Sequence, residues 1–179
     1  MKYTYPKISN ALTYKRIDHD FESITDETAQ RFITELNYLE ALSPDSDITL
    51  FINSPGGSVS AGLAMLDAMR RCSCDIHTFG TGLCASMGAV LLACGGTPGK
   101  RVVSANCEVM IHQPLGGVSG ASSDMELAVN RIVRTRQRLN ALLAEATGKA
   151  PDKIASDTDR DNFMTAAEAL EYGLVDKII

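Results

Sequence analysis

The chain is short of several things at once, and each shortage removes a class of function. No apolar run approaches the length a membrane span needs, and the opening Met1-Lys-Tyr-Thr-Tyr-Pro-Lys7 lacks the apolar core of a secretion signal. A cytoplasmic location is therefore expected. Positive charge is not in excess: 17 Lys and Arg are interspersed with 22 Asp and Glu, for a net charge of −5. That balance argues against a nucleic-acid footprint and against an anionic-membrane partner. Low-complexity tracts, internal repeats and linker-like stretches are missing too, and 179 residues at 45% hydrophobic suit one well-filled core better than two. One domain over residues 1–179 is expected.

Cysteine and histidine are scarce, which makes their positions easy to weigh. Cysteines 72, 74, 84, 94 and 107 form an odd set without the spacing of a disulfide framework, as in a reducing compartment, and most are expected as small core residues. Cys72-Ser-Cys74 followed by His77 lacks a fourth ligand at metal-site spacing, so no metal is expected. Of the three histidines, His19 lies among charges, His77 falls inside an apolar strand pattern, and His112 stands where an apolar run meets Gln113-Pro114.

What is present is a regular alternation. Ala29, Phe32, Ile33, Leu36, Leu39 and Leu42 repeat at helical spacing behind a Thr25 cap and acidic Asp26-Glu27, which predicts a helix over 26–42. Ile48–Ile52 reads as a strand that breaks at Asn53-Ser-Pro-Gly-Gly57, and a helix over 61–69 leads to a strand at 76–79. A third helix is expected from near Ser86 to Cys94, with strands at 102–103 and 108–111. The alternation places the chain in the α/β class, with parallel strands joined by right-handed crossovers.

Residues 115–122 are too glycine-rich for a rigid core strand and run into a helix expected to open with a Ser123-x-x-Glu126 capping box and to stop at Gly148. Such a helix is about 37 Å long, more than twice the ~16 Å radius of gyration of a compact domain of this size, so part of it should project. Its Leu127, Ile132, Val133, Leu139, Leu142 and Leu143 then offer apolar surface for subunit contacts, while Arg131, Arg134, Arg136 and Arg138 read as a solvated face. A capped helix from Thr165 to Tyr172 and a strand over 174–179 complete the pattern.

Three segments carry the chemistry. Ser86 stands at the expected start of a helix, where free N–H groups and the positive end of the dipole favour a developing oxyanion, although a serine there also serves as a plain N-cap. His112 is the best-placed base, since a serine hydroxyl is a poor nucleophile until a neighbouring imidazole takes its proton. The order Ser then His excludes a chymotrypsin-type arrangement. A carboxylate to orient the imidazole is offered by Asp157, Asp159 and Asp161, among which spacing does not choose. Asn53-Ser-Pro-Gly-Gly57 supplies backbone N–H groups that can approach a substrate closely, or a tight structural turn; the Lys-Ser/Thr of a phosphate-binding loop is absent.

Taken together, Phe51-Ile-Asn-Ser-Pro-Gly-Gly57, Ala85-Ser-Met-Gly-Ala89, Val109-Met-Ile-His-Gln-Pro-Leu-Gly-Gly117 and Arg160-Asp-Asn-Phe163 with Glu171-Tyr-Gly-Leu-Val-Asp176 resemble the ClpP family over about residues 25–179. The resemblance implies a serine endopeptidase with Ser86 as nucleophile, His112 as base and Asp161 as orienting carboxylate, and with the Gly57 and Met87 amides as oxyanion hole. It implies a crotonase-like spiral of βαβ units and a handle segment over about 113–147 that joins two stacked heptameric rings. It also implies Arg160 at the ring contact, Gly116, Gly117 and Val118 along an extended substrate strand, and broad peptide cleavage with some preference for apolar side chains. No cofactor is implied, ATP being used only by a partner AAA+ unfoldase.

The chain departs from that pattern in three places. It starts about where the family's axial loop would end; Arg16-Ile-Asp-His-Asp-Phe-Glu22 interrupts a usually apolar first strand; and Thr49 replaces an aromatic of the unfoldase cleft. These departures lead to the expectation of altered pore gating and docking, as in a divergent or auxiliary subunit. The alternatives are a catalytically silent ring subunit and, against the His-Gln-Pro and Arg-Asp-Asn-Phe motifs, a crotonase-type acyl-CoA enzyme.

Overall fold

The computed structural model describes the backbone of residues 15–20 and the whole of residues 23–179; the expected site of a shortened axial loop, like Phe21 and Glu22, lies outside the described residues. The elements are β1 (Lys15–Asp20), α1 (Asp26–Leu42), β2 (Ile48–Ser54), α2 (Val59–Arg71), β3 (Ile76–Ala85), α3 (Met87–Gly95), β4 (Arg101–Val103), β5 (Glu108–Ile111), α4 (Ser122–Thr147), α5 (Pro151–Asp157), β6 (Asn162–Met164), α6 (Ala166–Tyr172) and β7 (Lys177–Ile178). The fold is mixed α/β, with β1, β2, β3, β4 and β7 side by side in one sheet and every pair among them parallel. β1, the strand with the charged sequence, lies at the edge of that path.

The sheet is built around β3. Its first half pairs with β4 through Thr78, Phe79 and Gly80, and its second half turns to β5 through Leu83, Cys84 and Ala85. The change of neighbour explains why this strand runs to Ala85 and not only over 76–79. Gly82, at φ +61, takes up the irregularity where the register to β2 slips between Ile52 and Ser54. β2 likewise continues two residues further than its apolar run.

Helices α1 to α4 pack in succession, each on the next. α1 and α6 begin with reciprocal capping boxes, Thr25 with Thr28 and Thr165 with Glu168, and α6 ends on Gly173 in the left-handed conformation. The expected Ser123–Glu126 box does not form. α4 starts two residues earlier, with Ala121 at the cap position and no side-chain cap, so Ser123 falls inside the first turn. Two short elements carry too few residues to show a period and are absent from the sequence reading: α5, opened by Pro151 at its first turn, and β6, which pairs antiparallel with β5. The C-terminal strand is shorter than expected, because only Lys177 and Ile178 pair in register with β4.

The core lies between the sheet and the helices, with Phe32, Leu36, Ile48, Leu50, Ile52, Met65, Leu66, Met87, Leu92, Ile111 and Ile154 closed to solvent. Arg101 is the buried charge at one end of it. Its guanidinium meets Asp176 at 2.6 and 2.9 Å and donates to the carbonyls of Ala93, Ala146 and Gly173. Burial opposes the charge on Asp176, but the hydrogen bonds from the Arg101 side chain and backbone outweigh it and hold the carboxyl below its ordinary range.

Candidate active site

Three backbone facts bring Ser86, His112 and Asp161 together. β3 and β5 are parallel with Ala85 opposite Met110, and the Ser86 amide donates to the Met110 carbonyl at 2.8 Å, so the residue after β3 is tied to the end of β5. β5 and β6 are antiparallel with Ile111 opposite Asn162, which sets the next residue of one strand, His112, against the preceding residue of the other, Asp161. Gln113 completes the join. Its amide donates to the Thr158 carbonyl at 2.6 Å and its side chain to the Asp159 carbonyl at 2.7 Å.

The side chains then form a chain of hydrogen bonds. His112 Nε2 lies 2.9 Å from Ser86 Oγ, and His112 Nδ1 lies 2.8 Å from Asp161 Oδ1. The two ends differ in setting: the His112 side chain is 12% exposed and that of Asp161 is 62% exposed. The other two carboxylates of the loop are taken elsewhere. Asp157 is the last residue of α5 and bonds Lys153 and the Tyr172 hydroxyl, whereas Asp159 meets Arg136 and Arg160. Burial and the bond to Asp157 together raise the Tyr172 hydroxyl.

Ser86 occupies the cap position of α3 but does not cap it through its hydroxyl. Its side chain makes no cap hydrogen bond, and its backbone sits at φ 55, ψ −120, the one positive φ of a non-glycine residue among the described residues. Such a conformation costs on the order of 1–3 kcal/mol and persists only where the surroundings impose it. Here they do: β3 and β5 hold the amide, α3 follows at once with eight buried residues, and the hydroxyl is turned to His112 and not down the helix. Met87, the first residue of α3, has an amide with no acceptor within its own helix.

The Asn53–Gly57 loop reaches this junction. Ile24 clamps it, donating to the Gly56 carbonyl at 2.8 Å and accepting from the Ser58 amide at 2.7 Å. Gly57, at φ +149, passes so close that a Cβ would stand 2.3 Å from the Ile24 carbonyl. Gly56 is the residue the sequence reading overlooked. A Cβ there would lie 2.6 Å from Ser86 Cβ and 3.0 Å from the Met87 amide, so this glycine, at φ +92, lets the loop touch the Ser86 turn. Two adjacent glycines gave no signal as to which faces the serine.

The remaining expected site residues stand apart. Gly116 rests on Ile132 of α4, Gly117 has open space around it, and Val118 is exposed, all in a segment without strand pairing. Arg160 is 91% exposed with Asp159 at 3.7 Å. Among the arginines of α4, Arg136 is not simply solvated, since it reaches the Ala155 carbonyl and Asp159. Next to Ser86 and His112, Val59, Val90, Ile111, Pro114, Leu139 and Leu143 line a small apolar pocket. His77 bonds Asp47 at 2.8 Å, and the Cys74 thiol bonds the carbonyls of Ser43 and Pro44. No helix among the described residues is long and apolar enough to cross a membrane.

A nucleophile-like serine on a strained strand-to-helix turn, an imidazole bonded to it and a carboxylate behind the imidazole is a hydrolase's arrangement. The family model for Clp protease matches residues 3–179, nearly the whole chain. The chain belongs to the Clp protease family.

Proposed function

We propose that the protein is a serine endopeptidase that cleaves unfolded polypeptides, with Ser86 as nucleophile, His112 as general base and then acid, and Asp161 as the carboxylate that fixes the imidazole. The observation that carries this reading is the unbroken path from Ser86 Oγ to His112 to Asp161 at 2.9 and 2.8 Å. Nε2 takes the hydroxyl proton as Oγ attacks the scissile carbonyl. Asp161 accepts from Nδ1–H, keeps the reactive tautomer and steadies the imidazolium. The oxyanion meets the Met87 amide at the start of α3 and the Gly57 amide of the Ile24-clamped loop. His112 then returns the proton to the leaving amine, and water repeats the cycle on the acyl-enzyme. The apolar pocket beside Ser86 favours apolar side chains at the cleavage site.

The chain acts as one peptidase domain of the crotonase-like spiral, with residues 113–147 as handle in a barrel of two stacked heptameric rings. Exposed Leu127, Val129 and Val133 on α4 are the apolar surface such a stack would cover. Arg160 serves at the ring contact, and Gly116, Gly117 and Val118 hold an extended substrate strand by main-chain bonds. The working protein is cytoplasmic, needs no cofactor for hydrolysis, and receives substrate from an AAA+ unfoldase whose docking is altered by Thr49.

Intact-mass spectrometry after treatment with a fluorophosphonate tests this. One adduct per chain is expected, lost in Ser86→Ala; no adduct on a fully assembled ring would reject an independent peptidase.

A further inference from the structure

Two buried thiols lie across the joint that the catalytic reading depends on. Cys84 is in β3, two residues before Ser86, and Cys107 leads into β5, five residues before His112. Their Sγ atoms are 3.9 Å apart and share a hydrogen bond, and Cys84 Sγ also reaches the Ile52 carbonyl at 3.2 Å. Both residues are closed to solvent. Room for the pair comes from Gly80, four residues earlier in β3, where a Cβ would stand 2.9 Å from Cys84 Sγ and 3.4 Å from Cys107 Sγ.

We propose that Cys84 and Cys107 are a redox modification site: a small peroxide oxidises the pair to a disulfide that ties β3 to the start of β5 and displaces Ser86 from His112. The functional half of this inference rests on the peptidase reading; the disulfide does not. Cys107 is the thiol that reacts first, once a local opening of the β3–β5 joint admits the peroxide to a pair otherwise closed to solvent. Once ionised it accepts from the Cys84 S–H, which holds it below the usual thiol range, whereas that same bond and burial push Cys84 up. Burial pushes Cys72 to about 11 and Cys94 to about 12, leaving them less thiolate.

The chemistry balances with hydrogen peroxide as the oxidant. The Cys107 thiolate attacks one peroxide oxygen, the O–O bond breaks and the departing hydroxide takes a proton, leaving a sulfenic acid and water. Cys84 sulfur then attacks the sulfenic sulfur, the S–O bond breaks, and the hydroxide leaves with the Cys84 proton as a second water. Two thiols lose two electrons and the peroxide gains them.

Closure matters because a disulfide holds its sulfurs about 2.05 Å apart. The pair must approach by nearly 2 Å from its present contact, and the move is transmitted within two residues to Ser86, whose amide is pinned to Met110. A nucleophile misplaced by about 1 Å loses on the order of 10²-fold in rate. Oxidation is therefore expected to slow fluorophosphonate labelling of Ser86 about tenfold or more.

The test treats the folded, assembled protein with hydrogen peroxide and reads three things: the mass loss of two hydrogens, the cross-linked peptide after digestion, and the labelling rate at Ser86 before and after dithiothreitol. A joined Cys84–Cys107 peptide with slowed labelling that reductant restores, both absent in Cys107→Ala and in Cys84→Ala, bears the proposal out. Oxidation confined to Cys72, Cys74 or Cys94 overturns it, and so does a Cys84–Cys107 cross-link that leaves labelling and backbone hydrogen exchange over residues 84–90 unchanged. A reduced protein that never labels at Ser86 sinks the peptidase reading alone, for the cross-linked peptide and the exchange over 84–90 still decide the redox site.

Discussion

Helix α3 and helix α4 belong to the same fold and follow opposite rules. α3 buries eight of its nine residues, while α4, with 26 residues, buries only Leu139, Asn140 and Leu143 and leaves Leu127, Val129 and Val133 exposed. The contrast extends to the site. Ser86 is delivered by α3 and two paired strands from inside the core, whereas Asp161 hangs from the short α5–β6 segment with most of its side chain in solvent. One end of the triad is therefore held by packing, and the other by a few hydrogen bonds at the surface.

If packing holds the Ser86 end, emptying it should cost most. Leu92, fully buried in α3, is the place to do so: Leu92→Ala is expected to destabilise the chain by about 2–5 kcal/mol, the range for a large-to-small core change. Denaturant unfolding with an unchanged slope checks it. A loss under about 1 kcal/mol would mean that α3 is not the anchor.

Asp161→Asn breaks the other end. The amide does not enforce the same tautomer of His112, so turnover of a peptide substrate is expected to fall on the order of 10²-fold, about 2.7 kcal/mol of barrier, with little change in KM. Solvent competes for an exposed carboxylate, which is why the effect stays below that of a fully buried one. Folding stability should barely move. Loss of stability comparable to that of Leu92→Ala would show that the segment before β6 is structural and would erase the distinction between the two ends.

How much of this was legible in the residues follows the same division. α1 announces itself because its apolar face repeats at helical spacing behind Thr25, and α6 because Thr165 and Gly173 punctuate it; Ser86 and His112 stand at the ends of apolar runs, where strand pairing later places them. Asp161 did not stand out from Asp157 and Asp159 on spacing. The choice depends on β6, three residues whose antiparallel register to β5 no local period reveals. Gly56 was hidden for a related reason, since its task is to let one loop touch a turn thirty residues away in the chain, and only contact shows that. The Ser123–Glu126 box misled because the cap position falls before both serines, on Ala121, so neither hydroxyl caps the helix.

The Arg101–Asp176 clamp lets the buried side of the comparison be read by pH. Asp176 is held below its unfolded range, so its contribution is present above an unfolded pKa of about 3.9 and is lost as pH falls through the lower folded value. Asp176→Asn is expected to cost about 1.5–3 kcal/mol at neutral pH, and the gap from the natural sequence should narrow as acid protonates Asp176 below about pH 4. Unfolding curves at pH 7 and pH 3 measure both. A constant gap would mean that the bonds do not depend on the carboxylate charge.

The smallest effect on folding is expected on α4, and it separates two explanations of the exposed face. Leu127 is 68% exposed, so Leu127→Ala removes almost no buried area from the chain itself and should change unfolding by no more than about 0.5 kcal/mol. If that face is covered by a second ring, the same substitution removes apolar contact at every copy around the stack, and a small loss per chain is multiplied by the number of chains. Native mass spectrometry across a dilution series is then expected to show the double ring parting into single rings at higher concentration for Leu127→Ala than for the natural sequence. Unchanged unfolding together with unchanged assembly would leave the exposed first half of α4 outside any ring contact, and its apolar residues would need another partner.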